Sequence, residues 1–282
     1  GLGTIGGARG RIAEELAAAR QLTGRPIAVN LVLHLLRPGD VQAAADADVI
    51  VTFWGQPRRL TGATWVHQCG SVQEARAAEA AGADAVIAQG VEAGGHVRGT
   101  TPLLELVERV RAAVKLPVLA AGGIVEQGDV RQVLDAGAVA AVLGTRFLLS
   151  EESRAHPDYK QRCLQADRTV LTELFGFGWA EAPQRVVPNA ATRRWLGEDP
   201  RGPGWIRLAN RLTAPLVLRV PEALQDRVLA FQRPSFPFLG PVMALDDGSR
   251  SLLDSGPLYA GANVTRISDI LPAAEIVANL TP

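Results

Sequence analysis

The chain has 282 residues and carries 29 Lys plus Arg against 29 Asp plus Glu, so its formal net charge is zero. That balance lacks the basic footprint of a nucleic-acid binder. Two cysteines exclude a disulfide framework and a four-thiolate metal site, and no apolar run reaches the ~18 residues of a membrane span. With 47% hydrophobic residues and no signal-peptide pattern, the expectation is a cytoplasmic globular protein of one large or two small domains, with no nucleic-acid or membrane partner.

In chain order, apolar runs predict strands at 2–5, 27–33, 49–53, 64–68, 85–88, 117–120 and 140–143. Most are continuous and rich in Val and Ile, as in a parallel sheet covered on both faces. Met243 is the only methionine and the chain opens at Gly1 inside an apolar stretch, so upstream sequence is expected. Between the strands lie helix signals. Ser71-Val-Gln-Glu74 reads as a capping box. Thr101-Pro102 reads as an N-cap before a first-turn proline, followed by the stripe Leu103, Leu106, Val107 and Val110. Val130, Val133 and Leu134 repeat the pattern before Gly137, a C′ stop. A weak internal repeat relates Ala81-Gly-Ala-Asp-Ala-Val to Ala136-Gly-Ala-Val-Ala-Ala, each a helix end, a tight turn and a strand. Alternating βα units predict an α/β fold, barrel or doubly wound.

Thirteen of the 18 prolines fall in 151–282, which marks a compositional boundary near 151. The chain is therefore divided into 1–150, a (β/α) barrel, and 151–282, a mixed helix and loop segment packing on it. Helices are expected at 157–175 and 267–280, and 183–262 reads as loops with short elements.

Three motifs carry chemistry. Gly1, Gly3 and Gly6 spell G-x-G-x-x-G, but no strand precedes them and the strand at 27–33 ends without a ribose-gripping acid. A buried strand with a tight turn fits as well as a dinucleotide fingerprint. The strand at 85–88 runs into Gln89-Gly-Val-Glu-Ala-Gly-Gly-His96. A histidine at the C-terminal end of a barrel strand sits where catalytic groups lie, and imidazole exchanges protons near neutral pH; a locally bonded loop histidine is the alternative. Ala121-Gly-Gly-Ile124 and Leu143-Gly-Thr145 end successive strands in glycine turns. They are either a pair of phosphate-holding N–H nests or simple βα turns. His34, His67 and His156 show no metal-ligand spacing; His67 and Cys69 share a face, but two ligands make no site. Trp54 and Trp65 read as packing residues.

The stretch 88–96, with Ala120-Ala-Gly-Gly-Ile124 and Leu143-Gly-Thr-Arg-Phe147, resembles the nitronate monooxygenase family, formerly called 2-nitropropane dioxygenase. Ala28-Val-Asn30, Val66-His-Gln68, Glu152-Ser153, His156-Pro-Asp-Tyr-Lys160, Arg185-Val-Val187 and Leu258-Tyr-Ala-Gly261 extend the likeness over nearly the whole chain. The resemblance implies an FMN-dependent TIM barrel that oxidises alkyl nitronates or nitroalkanes with O2 to a carbonyl compound and nitrite. It implies His96 as catalytic base. It implies FMN contacts from Asn30, Gln68, Gln89, Gly94, Val142 and Leu143, with Gly122, Gly123, Gly144 and Thr145 around the phosphate.

Four departures stand out. The family's first strand is not in the chain, so Gly1 is expected at the second strand of a (β/α)8 barrel. About ten residues join the strands at 49–53 and 64–68, short for a βαβ crossover. The family's Gln before the Gly-Thr turn is replaced around Val142-Leu143. The tail motif, usually Tyr-Ala-Gly-Gln-Ser, is Tyr259-Ala-Gly-Ala-Asn263. The rival readings are a flavin-dependent enoyl-acyl-carrier-protein reductase, whose branch has Glu where this chain has Gln89, and a degenerate barrel without catalysis.

Overall fold

The computed structural model describes residues 2–3, 12–37, 39–217 and 232–282. In chain order its first half comprises β1 (Leu2–Gly3), α1 (Ile12–Leu22), β2 (Ala28–Val32), α2 (Asp40–Ala43), β3 (Val49–Phe53), β4 (Thr64–Cys69), α3 (Val72–Ala80), β5 (Ala85–Gln89), β6 (Gly95–His96), α4 (Leu103–Ala113), β7 (Val118–Ala121), α5 (Gln127–Asp135) and β8 (Ala140–Val142). Then follow α6 (Thr145–Leu148), α7 (Pro157–Leu164), β9 (Val170–Thr172), β10 (Gln184–Val187), α8 (Ala190–Trp195), α9 (Gly204–Val217), α10 (Leu252–Ser255), β11 (Leu258–Tyr259) and α11 (Ala273–Leu280). Two compact units result: Gly1–Val91, Arg98–Ala121 and Gln132–Val142 form the first, and Glu92–Val97, Gly122–Arg131 and Leu143–Pro282 the second.

The first unit is built on a seven-stranded sheet in the order β1-β2-β3-β4-β5-β7-β8. Every neighbouring pair is parallel. This order follows the sequence without reversal, so the sheet has no topological switch point and the dinucleotide-fold reading of the glycine motif falls. Gly3 pairs with Asn30 in β1; Gly1, Gly6 and the rest of the strand expected at 2–5 lie outside the described residues.

The register sorts the side chains onto two faces. Val29, Leu31 and Ile50 lie on one and pack under Ile12 and Leu16 of α1, each no more than 3% exposed. Burial of such aliphatic side chains contributes about 1.5–3 kcal/mol each. The other face carries Val51, Val66, Ile87, Leu119, Ala121 and Val142.

The helix signals mostly hold. Ser71 Oγ accepts the Glu74 N–H at 3.2 Å, while the Glu74 carboxylate reaches one residue further back, to the Gly70 N–H at 2.8 Å. Pro102 is the N-cap of α4 rather than its first residue, and Leu103, Leu106, Val107 and Val110 are all buried. The internal repeat is a repeated helix stop. Gly82 and Ala83 donate to Glu79 and Ala78 as Gly137 and Ala138 donate to Leu134 and Val133, a Schellman pattern at both ends.

The short crossover has no helix: residues 54–63 are bends and irregular backbone. Trp54 at φ +59° and Gly55 at φ +154° turn the chain. Arg59 then lies over the Trp65 ring at 5.6 Å and donates to both Asp84 carboxylate oxygens at 3.0 Å. Trp65 is 1% exposed, a packing residue as expected, and its indole N–H donates to Thr52 Oγ1.

Among the described residues, the second unit has two apolar clusters. One gathers Tyr159, Leu149, Leu253 and Leu258; the other gathers Leu174, Phe175, Val186, Ile206 and Leu239. Its sheet centres on β10, antiparallel to β6, β9 and β11. Three expectations are corrected. The helix expected over 157–175 stops at Leu164 and gives way to β9. The helix expected from 267 begins at Ala273. The stretch 183–262 holds the 14-residue α9, with Pro215 inside it. Among the described residues no helix is long and apolar enough to cross a membrane, and no group of three His, Cys, Asp or Glu can hold a metal ion.

Candidate functional site

In the first unit, the register places Asn30, Gln68, Gln89 and Val142 on one sheet face, Asn30 in the middle of β2 and the other three at or next to the C-terminal ends of β4, β5 and β8. Leu143 follows β8 directly and is not part of the strand. Gln89 Oε1 accepts the Arg98 N–H at 3.2 Å. Asn30 Oδ1 is buried and finds no hydrogen-bond donor among the described residues. His67 lies on the opposite, helix-covered face, where its Nδ1 is 2.8 Å from Thr52 Oγ1. Burial lowers its pKa to about 4, so it is a neutral core histidine.

His96 is not at the end of a barrel strand. It forms β6 with Gly95, where Gln184 of β10 is its register partner. β11 joins the same edge of β10 further along, with Tyr259 opposite Val186, and this brings Tyr259 to within 5.7 Å of the His96 ring. On its other side His96 stacks on Trp179, with centroids 3.8 Å apart. The ring is 6% exposed, and desolvation lowers its pKa to about 3. Titration near neutrality, expected from the residue type, is therefore corrected: imidazolium loses its hydration on burial here. Gln184 is fully buried and bridges this shell, its amide donating to Phe175 O at 3.0 Å and its Oε1 accepting from the Tyr259 hydroxyl at 3.0 Å.

The tail segment 259–263 ties three loops of the second unit together. The Ala262 N–H donates to Glu92 O at 2.8 Å. The Gly261 N–H donates to Thr145 Oγ1 at 2.9 Å, and Asn263 Nδ2 donates to Gly123 O at 2.6 Å. The same backbone explains Gly94, since a Cβ there would stand 2.6 Å from Ala260 C and Gly261 N. Gly122 and Gly123 have φ of +123° and +68°, and a Cβ on Gly123 would meet Glu92 Cβ at 2.9 Å. Gly144 caps α6 with an ordinary φ of −109°, and a Cβ on it would meet nothing within 4 Å. Among the described residues, the N–H groups of Gly123, Ile124, Gly144 and Thr145 find no protein acceptor.

Sequence reasoning passed over Trp179 and Gln184 as site residues. Each meets His96 through pairing or packing across more than 80 residues, for which no local pattern exists.

An α/β, TIM-barrel-like protein with glycine turns and a buried histidine is what these units define. A family model described as nitronate monooxygenase matches residues 56–282. The chain belongs to the nitronate monooxygenase family. It is 46% identical over 130 residues, 42% of this chain, to a nitronate monooxygenase of Pseudomonas aeruginosa. The match covers 37% of that protein, and the chain covers well under two thirds of the length of the curated relatives it matches first. Among solved structures it is similar to FabK from Thermotoga maritima, with a TM-score of 0.73 and 27% identity over 96% of this chain and 80% of that one. It is also similar to a nitroalkane oxidase from Streptomyces ansochromogenes, with a TM-score of 0.70 and 29% identity over 96% of this chain and 84% of that one.

Proposed function

We propose that the chain binds FMN and oxidises alkyl nitronates or nitroalkanes with O2, releasing a carbonyl compound and nitrite. We take its seven parallel strands as members of a (β/α)8 barrel. One observation carries the reading: within the second unit, the loops bearing Gly94 and His96, Gly122 and Gly123, and Gly144 and Thr145 converge on the tail 259–263, with four backbone N–H groups that find no protein acceptor among the described residues. Convergent N–H groups of this kind suit a phosphate, and the open space at Gly144 suits its bulk.

In the first unit, the buried Asn30 Oδ1 supports a polar contact to the cofactor. We assign Gln68, Gln89 and Val142 to the same role, along with Gly94, Gly122 and Leu143 of the second unit. FMN supplies the electron-acceptor and O2 chemistry when bound, and the protein supplies position and electrostatics.

His96 takes the α-proton of a neutral nitroalkane at Nε2, while a nitronate arrives without that proton and needs only orientation. A ring whose acid form is disfavoured by burial accepts a proton most readily when an anion forms beside it. Trp179 fixes the plane of the ring, and its burial excludes water from the proton's path. Because Trp179, Gln184 and Tyr259 all come from 151–282, we assign that segment the lining of the substrate pocket.

The test is FMN titration of the purified chain, followed by nitrite release from a secondary alkyl nitronate in air. Flavin retention with nitrite release fits the reading. Flavin retention without nitrite, but with NADH-dependent reduction of an enoyl thioester, fits the acyl-carrier reductase instead. Absence of flavin binding fits a barrel without catalysis.

A further inference from the structure

We propose that Asn263 is a positioning residue for phosphate recognition, its side-chain amide holding the Gly123–Ile124 peptide so that the Ile124 N–H is presented to the anion. This rests on the FMN reading above and deepens it, because no residue of the tail was assigned to the phosphate. In a trans peptide the carbonyl and the following N–H point in opposite directions. Fixing Gly123 O on Asn263 Nδ2, at 2.6 Å, therefore fixes the direction of the Ile124 N–H.

That N–H finds no acceptor among the described residues, nor does that of Gly123. Gly122 and Gly123 are both in positive-φ conformations. Turning the Gly123–Ile124 peptide over rotates ψ of Gly123, which a glycine allows freely, and φ of Ile124, which a β-branched residue restrains. A turned peptide would aim a carbonyl dipole at the anion, replacing a donor with an acceptor at the same spot.

The anchor for this tie is itself held. Gly261 and Ala262, immediately before Asn263, are bonded to Thr145 Oγ1 and Glu92 O. Thr145 Oγ1 accepts in that bond, so its own O–H is left to donate to an anion. Local charge makes the identity of residue 263 matter. The Glu92 side chain stands against Gly123, and Arg185 provides the opposing charge. An acid at 263 would repel Gly123 O instead of donating to it and would add a second negative charge beside Glu92. The amide is the side chain of that size that donates without charge.

The experiment titrates the unsubstituted chain, Asn263→Ala and Asn263→Asp with FMN and with riboflavin, following flavin fluorescence. The unsubstituted chain should prefer FMN. Both variants should lose about tenfold or more in FMN affinity, Asp more than Ala, as expected for a donor lost to a charged group. Riboflavin affinity should stay within about twofold, because no phosphate contact is at stake. An equal loss for both flavins, including loss of all binding, would mark a general structural role and overturn the proposal. So would an FMN preference unchanged in both variants. If the unsubstituted chain does not distinguish FMN from riboflavin, the phosphate reading itself falls; if it does and the variants retain that preference, only the role of Asn263 falls.

Discussion

The imidazole of His96 lies face to face with the indole of Trp179, with centroids 3.8 Å apart and planes inclined by 20°. The stack removes water from one side of the ring and Tyr259 covers part of the rest. Burial takes the pKa down to about 3, so the ring is neutral throughout the physiological range. A neutral ring accepts a proton but offers no positive charge to hold a nitronate.

His96→Asn should therefore separate two substrates. Flavin retention should be unchanged. Turnover of a neutral nitroalkane should fall by about 10²–10⁴, the usual contribution of a positioned base, while preformed nitronate is largely spared. Steady-state nitrite release with both substrates checks this. Equal loss on both would mean that His96 orients the nitronate.

The same burial sets the acid stability of the fold. His96 and His67 have folded-state pKa values of about 3 and 4, against 6.5 in the unfolded chain. Between those limits the unfolded state binds more protons, so stability is fully present above pH 6.5 and falls as the pH drops. Each histidine should cost about 2 kcal/mol between pH 6.5 and pH 5. Urea denaturation at pH 7 and pH 5 measures the loss, which should be smaller by about that amount in His96→Asn. An unchanged pH dependence would show that the ring is solvated.

The two turn glycines Gly123 and Gly144 should respond differently to alanine. Gly123→Ala forces a side chain into φ +68° and against Glu92 Cβ, and should cost about 1–2 kcal/mol of stability. Gly144→Ala meets neither obstacle, so its melting temperature should hold while FMN affinity falls. Thermal melts with FMN titration read both effects. Full FMN affinity in Gly144→Ala would move the phosphate elsewhere.

Thr52 makes a prediction that does not involve the cofactor. Its hydroxyl accepts from Trp65 Nε1 at 2.7 Å and lies 2.8 Å from His67 Nδ1, on the helix-covered face. Thr52→Val keeps the shape but leaves buried polar atoms unpaired, and should cost about 1–3 kcal/mol. Flavin affinity should not change. Denaturation and titration of the one variant test both halves.

The parallel sheet was legible because β2, β3 and β5 are Val- and Ile-rich runs and the other strands are short apolar runs, punctuated by glycine, and the register confirms them to within a residue or two. α9 was not, because its buried face carries Ile206, Asn210 and Ala214 while Trp205, Leu208 and Leu212 are exposed. Its apolar stripe therefore points the wrong way, and Pro215 sits inside the helix. The element holding His96 was not legible, since β6 exists only through pairing with β10. The glycine turns were visible as motifs. The ties of Gly261 to Thr145 and of Asn263 to Gly123 were not, because they cross more than 110 residues.

The most direct test is anaerobic mixing of the FMN-loaded chain with a secondary alkyl nitronate, with the flavin absorbance followed in time. The account predicts bleaching of the flavin band by nitronate, its return on admitting O2, and nitrite in the product. A bound flavin that stays oxidised in excess nitronate, or that bleaches only with NADH, would contradict it.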